Sequence, residues 1–154
     1  MTFDKQVFYF AKLSEYAESQ EKSRQLIEEQ RLLKTHLECL GFEVVLSGRV
    51  RGQMERDRVG NETLTFKEKG VDVRIAVDMV SLACDGAVKD LTLASSDSDL
   101  QPAIREIRKR QVSCTYLGFE MQPNKGLTFT TDRTILIRNA EVLAASTTQS
   151  MFEA

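Results

Sequence analysis

The stretch that most constrains this chain is Leu91-Thr-Leu-Ala-Ser-Ser-Asp97-Ser-Asp99-Leu-Gln-Pro-Ala-Ile-Arg-Glu-Ile-Arg-Lys-Arg110. It opens as a short apolar run of strand formers and turns through residues 95–99. It then continues with apolar residues at Leu100, Ala103, Ile104 and Ile107, the spacing of one helical face. A strand feeding a helix puts the turn at the carboxyl end of the strand. In open α/β sheets that is the edge where ligands bind. The turn carries five hydroxyl or carboxylate side chains in a row, Ser95, Ser96, Asp97, Ser98 and Asp99. Carboxylates two residues apart repel unless a divalent cation or the positive end of the following helix holds them. Two readings stay open. Asp99 or Ser98 caps the helix, with Pro102 tolerated in its first turn, or the turn holds a metal ion or a phosphate.

The remaining chain reads as alternating strands and helices. Residues 7–13 are apolar on both faces over the first five positions, as in a buried central strand of a parallel sheet. A helix is expected over 21–40, with Leu26, Leu33, Leu37 and Leu40 on one stripe and Gly41 as its C-cap glycine. A strand over 42–47 follows, and strand-helix-strand favours a right-handed parallel crossover. Residues 48–70 read as a long polar loop with Arg49, Arg51, Arg56, Arg58, Lys67 and Lys69, and a short edge strand at most over 63–66. Loops of that length are usually functional, so it is either a solvated excursion or a substrate-contacting arm. Residues 71–85 read as a helix apolar almost all round, hence sandwiched. Asp72 falls on the side of Ala76 and Met79, and Asp78 on an exposed side with Arg74. Strands are expected over 112–117 and 134–138, with a loop over 118–132 between them. From residue 139 the tail contains a short helix at best.

Composition narrows the classes. With 154 residues, 42% apolar and 29% charged, the chain can bury a core in one domain. A net charge of −2 does not advertise nucleic-acid binding, so any RNA contact must come from a local patch. There is no apolar run of membrane-span length and no signal-peptide apolar region, which predicts a cytoplasmic protein without a membrane partner. Cys39, Cys84 and Cys114 each lie in an apolar segment and are expected as buried, reduced thiols. His36 is the single histidine, which disfavours a Ser-His-Asp triad or a histidine-based zinc site.

Lys69-Gly-Val-Asp72 opening a helix, followed by a strand ending Ser95-Ser96-Asp97-Ser98-Asp99, resembles the NYN (LabA-like, PIN-like) domain. The Phe8-Tyr-Phe strand, Gln30-Arg31-Leu32 and Leu40-Gly41-Phe42 match it as well, and the resemblance covers roughly residues 6–140. It implies a domain over residues 1–140 with a tail over 141–154. The implied fold is α/β, three-layer α/β/α with a central, mostly parallel sheet of Rossmann-like topology. The implied activity is that of a metal-dependent ribonuclease. Asp72, Asp97 and Asp99 would be the catalytic and metal-binding residues for Mg²⁺ or Mn²⁺. Ser95, Ser96, Arg49, Arg51 and Lys69 would be substrate-binding, with single-stranded RNA as partner.

The family usually opens with a strand ending Asp-Gly-x-Asn, whose Asp is a principal ligand. Residues 1–6 here carry only Asp4, with Val7 three positions on. The expectation is one ligand and one central strand fewer, with Glu15 or Glu18 as stand-ins. A catalytically impaired RNA- or protein-binding module is therefore the alternative, and a homodimer covering the exposed edge is expected. A phosphatase is a third reading of an Asp-x-Asp turn. No Gly-x-x-x-x-Gly-Lys-Ser/Thr loop is present, which disfavours a P-loop NTPase.

Overall fold

The computed structural model describes residues 4–13, 20–56, 60 and 62–150, so Glu15, Glu18 and Arg58 lie outside the described residues. The chain divides into two units, residues 1–74 and 75–154. Helices alternate with strands, except where β2 and β3 follow one another in the first unit. Three of the four ladders among the described residues are parallel, as expected for an α/β protein. The strands fall into two three-stranded sheets.

In the first unit, β1 (Val7–Lys12) runs parallel to β2 (Glu43–Arg56), with α1 (Gln20–Cys39) as the connection. The helix ends as expected. Gly41 takes a φ of +88°, and the Phe42 N–H reaches back to the Leu37 carbonyl at 3.0 Å. The inward stripe of α1 follows the leucine series only in part. Leu26 and Leu37 are half-buried, together with Ile27, Gln30 and Lys34, and Ser23 is buried, whereas Leu33 and Leu40 are exposed. One reason is visible at Gln30, whose Nε2 donates to the Ala11 carbonyl of β1 at 2.8 Å. Among the described residues β1 pairs with β2 alone, and Phe8 is 39% exposed, so the burial expected on both faces there is not realised.

The largest correction concerns residues 48–70. The expected loop is an antiparallel hairpin of β2 with β3 (Glu62–Lys69), paired from Arg49↔Lys69 to Arg56↔Glu62. Its sequence alternates rather than runs apolar: Val50, Met54, Leu64 and Phe66 share one set of register positions, Arg49, Arg51, Lys67 and Lys69 the other. Charged residues on one side masked that period. Gly48 makes the entry possible. At φ +75°, its added Cβ would lie 2.4 Å from the Lys69 carbonyl oxygen.

Helix α2 (Val71–Cys84) is amphipathic rather than sandwiched. Met79 and Ala83 are buried, while Val73 and Val77 are 67% and 53% exposed. In the second unit β4 (Asp90–Ala94), β5 (Ser113–Phe119) and β6 (Arg133–Ile137) form a parallel sheet in that order. Helix α3 (Gln101–Lys109) packs on β5 and buries Ala103, Ile104 and Ile107, with Leu100 just before it. Those are the four apolar positions expected from spacing. The stretch over 118–132 contains a short helix, α4 (Lys125–Thr130), started by Asn124. Helix α5 (Asn139–Ser150), of 12 residues, is longer than the tail predicted.

The core of this unit joins Met79, Leu93, Leu100, Ile104, Ile107, Cys114, Tyr116 and Leu127. Of the three cysteines only Cys114 is buried, and Cys39 and Cys84 are exposed. Both exposed thiols sit in the last turn of a helix, a placement that segment apolarity alone does not reveal. Among the described residues no helix is long and apolar enough to cross a membrane.

Candidate functional site

Four of the predicted site residues come together in one turn at the carboxyl end of β4. Strand β4 ends at Ala94, and a 3-10 turn over Ser98–Leu100 leads directly into α3. The capping residue is Asp97, rather than Ser98 or Asp99. Its Oδ1 accepts from the Asp99 N–H at 2.8 Å. The Ser95 hydroxyl accepts from the Asp97 N–H at 3.1 Å, and the Ser96 carbonyl accepts from Asn124 Nδ2 at 2.7 Å. So a side-chain cap is present, but neither Ser98 nor Asp99 provides it: Asp97 caps the 3-10 turn with one oxygen of one carboxylate, and α3 itself starts after Leu100 with no side-chain cap. Asp97 Oδ2 and the exposed Asp99 carboxylate have no hydrogen-bond or ionic partner among the described residues.

That donor set suits a hard cation. Mg²⁺ prefers oxygen ligands and is commonly held by one or two carboxylates, with waters and substrate phosphates completing the shell. The turn supplies carboxylates of that kind at an accessible strand end. Among the described residues no group of three His, Cys, Asp or Glu side chains is gathered to hold a metal ion. Beside the turn a shallow open depression is lined by Ser98, Asp99, Gln101, Pro102 and Arg105, so a guanidinium borders the acidic turn.

The other predicted residues belong to the first unit. Asp72 is half-buried in the first turn of α2, where the helix dipole favours a carboxylate. Asp78, expected on an exposed side, is half-buried too, while Arg74 is exposed. Arg49 and Lys69 are exposed register partners in the hairpin, and Arg51 is paired with Lys67. Like charges directly opposite each other in an antiparallel ladder destabilise it.

Asn124 was not singled out from the sequence as a site residue. Its signal was present, since an Asn just before a helical run is an N-cap pattern. Its link to Ser96, 28 positions earlier, is tertiary.

A solved structure similar to this chain is that of a protein of unknown function from Vibrio parahaemolyticus. It is 21% identical, with a TM-score of 0.58, over 88% of this chain and 70% of that one. This likeness supports the α/β fold alone. A search of curated proteins finds no match. The family described as NYN domain matches residues 5–138, which takes in both sheets, the Lys69-Gly-Val-Asp72 motif and the Asp97–Asp99 turn. By that match over most of its length, this chain belongs to the NYN domain family.

Proposed function

We propose that this protein is a ribonuclease that hydrolyses phosphodiesters of single-stranded RNA with Mg²⁺ or Mn²⁺. The observation that carries the reading is the pair of carboxylates at the carboxyl end of β4, one half-engaged as a cap and the other exposed. Asp97 and Asp99 would hold the cation, and the sequence motif adds Asp72 as a third carboxylate. A bound divalent cation lowers the pKa of a water and neutralises charge at phosphorus. In the hydrolysis, the water oxygen forms a bond to phosphorus while the bond to the leaving ribose oxygen breaks. Ser95 and Ser96 border the phosphate, and Arg49, Arg51 and Lys69 bind the RNA backbone. The test is cleavage of single-stranded RNA by the full chain with either metal. Wild-type cleavage lost in Asp97→Asn supports the reading. No cleavage beyond that variant refutes it.

A second reading is favoured by the exposed Arg49 and Lys69, cationic register partners in the hairpin. It makes the protein a non-catalytic module that binds RNA or a protein partner. On this reading RNA is retained without turnover, and binding weakens steeply with salt. Arg49→Ala together with Lys69→Ala would flatten that salt dependence. We also propose a homodimer covering the edge of β1, where Phe8 is exposed. A monomer mass by light scattering at micromolar concentration would exclude it.

A further inference from the structure

We propose that Asn124 is a positioning residue for Asp97, holding the acidic turn in register through the peptide plane that precedes it. This rests on the ribonuclease reading of that turn and adds to it a residue outside the acidic motif.

The argument begins with one peptide unit. The peptide between Ser96 and Asp97 has two polar atoms, and both are engaged. Its carbonyl oxygen accepts from Asn124 Nδ2 at 2.7 Å, and its N–H donates to Ser95 Oγ at 3.1 Å. A peptide plane held at both ends cannot rotate, so the Cα of Asp97 is fixed in direction. The carboxylate is then held by the Asp99 N–H on Oδ1, which leaves Oδ2 without a hydrogen-bond partner among the described residues. Of these three constraints, two are local to the turn. The third comes from Asn124 and ties the turn to a separate part of the chain.

Asn124 is itself held firmly. Its Oδ1 accepts from the Leu127 N–H at 3.0 Å and so caps α4. Its backbone N–H donates to the Tyr116 hydroxyl at 3.0 Å. Its carbonyl accepts from Thr128, through both the backbone N–H and Oγ1 at 3.0 Å. Tyr116 is among the largest fully buried side chains, and Leu127 is fully buried. The side-chain amide thus spends its oxygen on the helix and its nitrogen on the turn. A plain N-cap needs only the oxygen, and Ser, Thr or Asp would serve equally well there. The nitrogen donor is what Asn supplies beyond capping, and it reaches Ser96. Groups that orient a metal-holding carboxylate commonly matter almost as much as the carboxylate itself.

The experiment separates the two halves of the amide. In Asn124→Ser the hydroxyl still accepts from the start of α4 but is too short to reach Ser96. In Asn124→Asp the cap is kept at full length, and the donor becomes an acceptor that repels the Ser96 carbonyl. Amide hydrogen exchange is read by NMR on the ¹⁵N-labelled full chain at Asp97, Asp99 and Leu127. Metal-dependent cleavage and RNA binding are measured alongside. Exchange at Asp97 and Asp99 is expected to rise by about tenfold in both variants, as local opening becomes easier, with Leu127 little changed. The Mn²⁺ concentration for half-maximal cleavage is expected to rise in Asn124→Ser by about 10- to 100-fold, with RNA affinity unchanged. Unaltered exchange at Asp97 and Asp99 in both variants overturns the proposal. So does loss of Leu127 protection to the same degree, which would reduce Asn124 to a cap. A wild-type protein that shows no metal-dependent cleavage refutes the ribonuclease reading. The exchange data still decide whether Asn124 positions the turn.

Discussion

Replacing Asp132 tests how the second unit is held together. The Asp132 carboxylate bridges two elements. Oδ2 accepts from the Cys114 N–H at 2.9 Å, and Oδ1 pairs with Arg108 Nη2 at 2.7 Å. The Asp132 N–H returns a bond to the Cys114 carbonyl at 2.9 Å. Cys114 is fully buried, so its N–H has no water to turn to if the carboxylate is removed. An unsatisfied buried donor costs about 1–3 kcal/mol. The ion pair adds less, because the two side chains are 42% and 32% exposed, and such pairs are worth at most about 1 kcal/mol. Asp132→Ala should therefore cost about 1–4 kcal/mol, and Asp132→Asn, which keeps an acceptor for Cys114, only about 1 kcal/mol or less.

The pH dependence has a definite sign. The Cys114 N–H first, and the Arg108 guanidinium after it, hold the Asp132 carboxyl below the usual carboxylate range. A lowered folded pKa means the stabilisation is fully present above the unfolded value of about 3.9 and is lost as pH falls through the folded value. The gap between wild type and Asp132→Asn should close below about pH 4. Urea unfolding followed by the native amide signals of Ile104 and Leu127 reads this unit alone, which matters where two units need not unfold together. Equal losses in the Ala and Asn variants, or no loss in either, would refute the reasoning.

Gly118→Ala should destabilise the same unit by about 1–3 kcal/mol. Its added Cβ would lie 2.2 Å from the Tyr116 hydroxyl and 2.5 Å from Cζ, in a ring with no room to move, and a melt as high as wild type would contradict this. Cys39 and Cys84 should be alkylated by iodoacetamide at pH 8, whereas Cys114 should stay intact until unfolding. Burial first, and the Asp132 charge second, push the Cys114 thiol up to about 11. Mass spectrometry showing all three thiols labelled at similar rates would refute that assignment. Millimolar Mn²⁺ should raise the melting temperature by mass action, and Asp99→Asn should reduce the rise. A melting temperature indifferent to Mn²⁺ would count against a cation at the turn.

What the sequence determined by itself is local and periodic. The helix after the acidic turn was legible because Leu100, Ala103, Ile104 and Ile107 repeat at helical spacing, and all four are buried. The C-cap at Gly41 was legible because few residues other than glycine adopt its left-handed backbone cheaply. Two motifs at fixed separation carried the family, because each combines a residue type with a position on a helix or strand end. The β2–β3 hairpin escaped detection because its pairing, not its composition, makes it a hairpin. Arg49 and Lys69 look like loop charges until the ladder sets them opposite each other. The leucines of α1 likewise gave no sign that Gln30 would turn inward to the Ala11 carbonyl. Tertiary structure alone decided that Asn124 reaches the Ser96 carbonyl across 28 residues of chain. A hydrogen bond depends on where two atoms lie in space, and separation along the chain does not encode that.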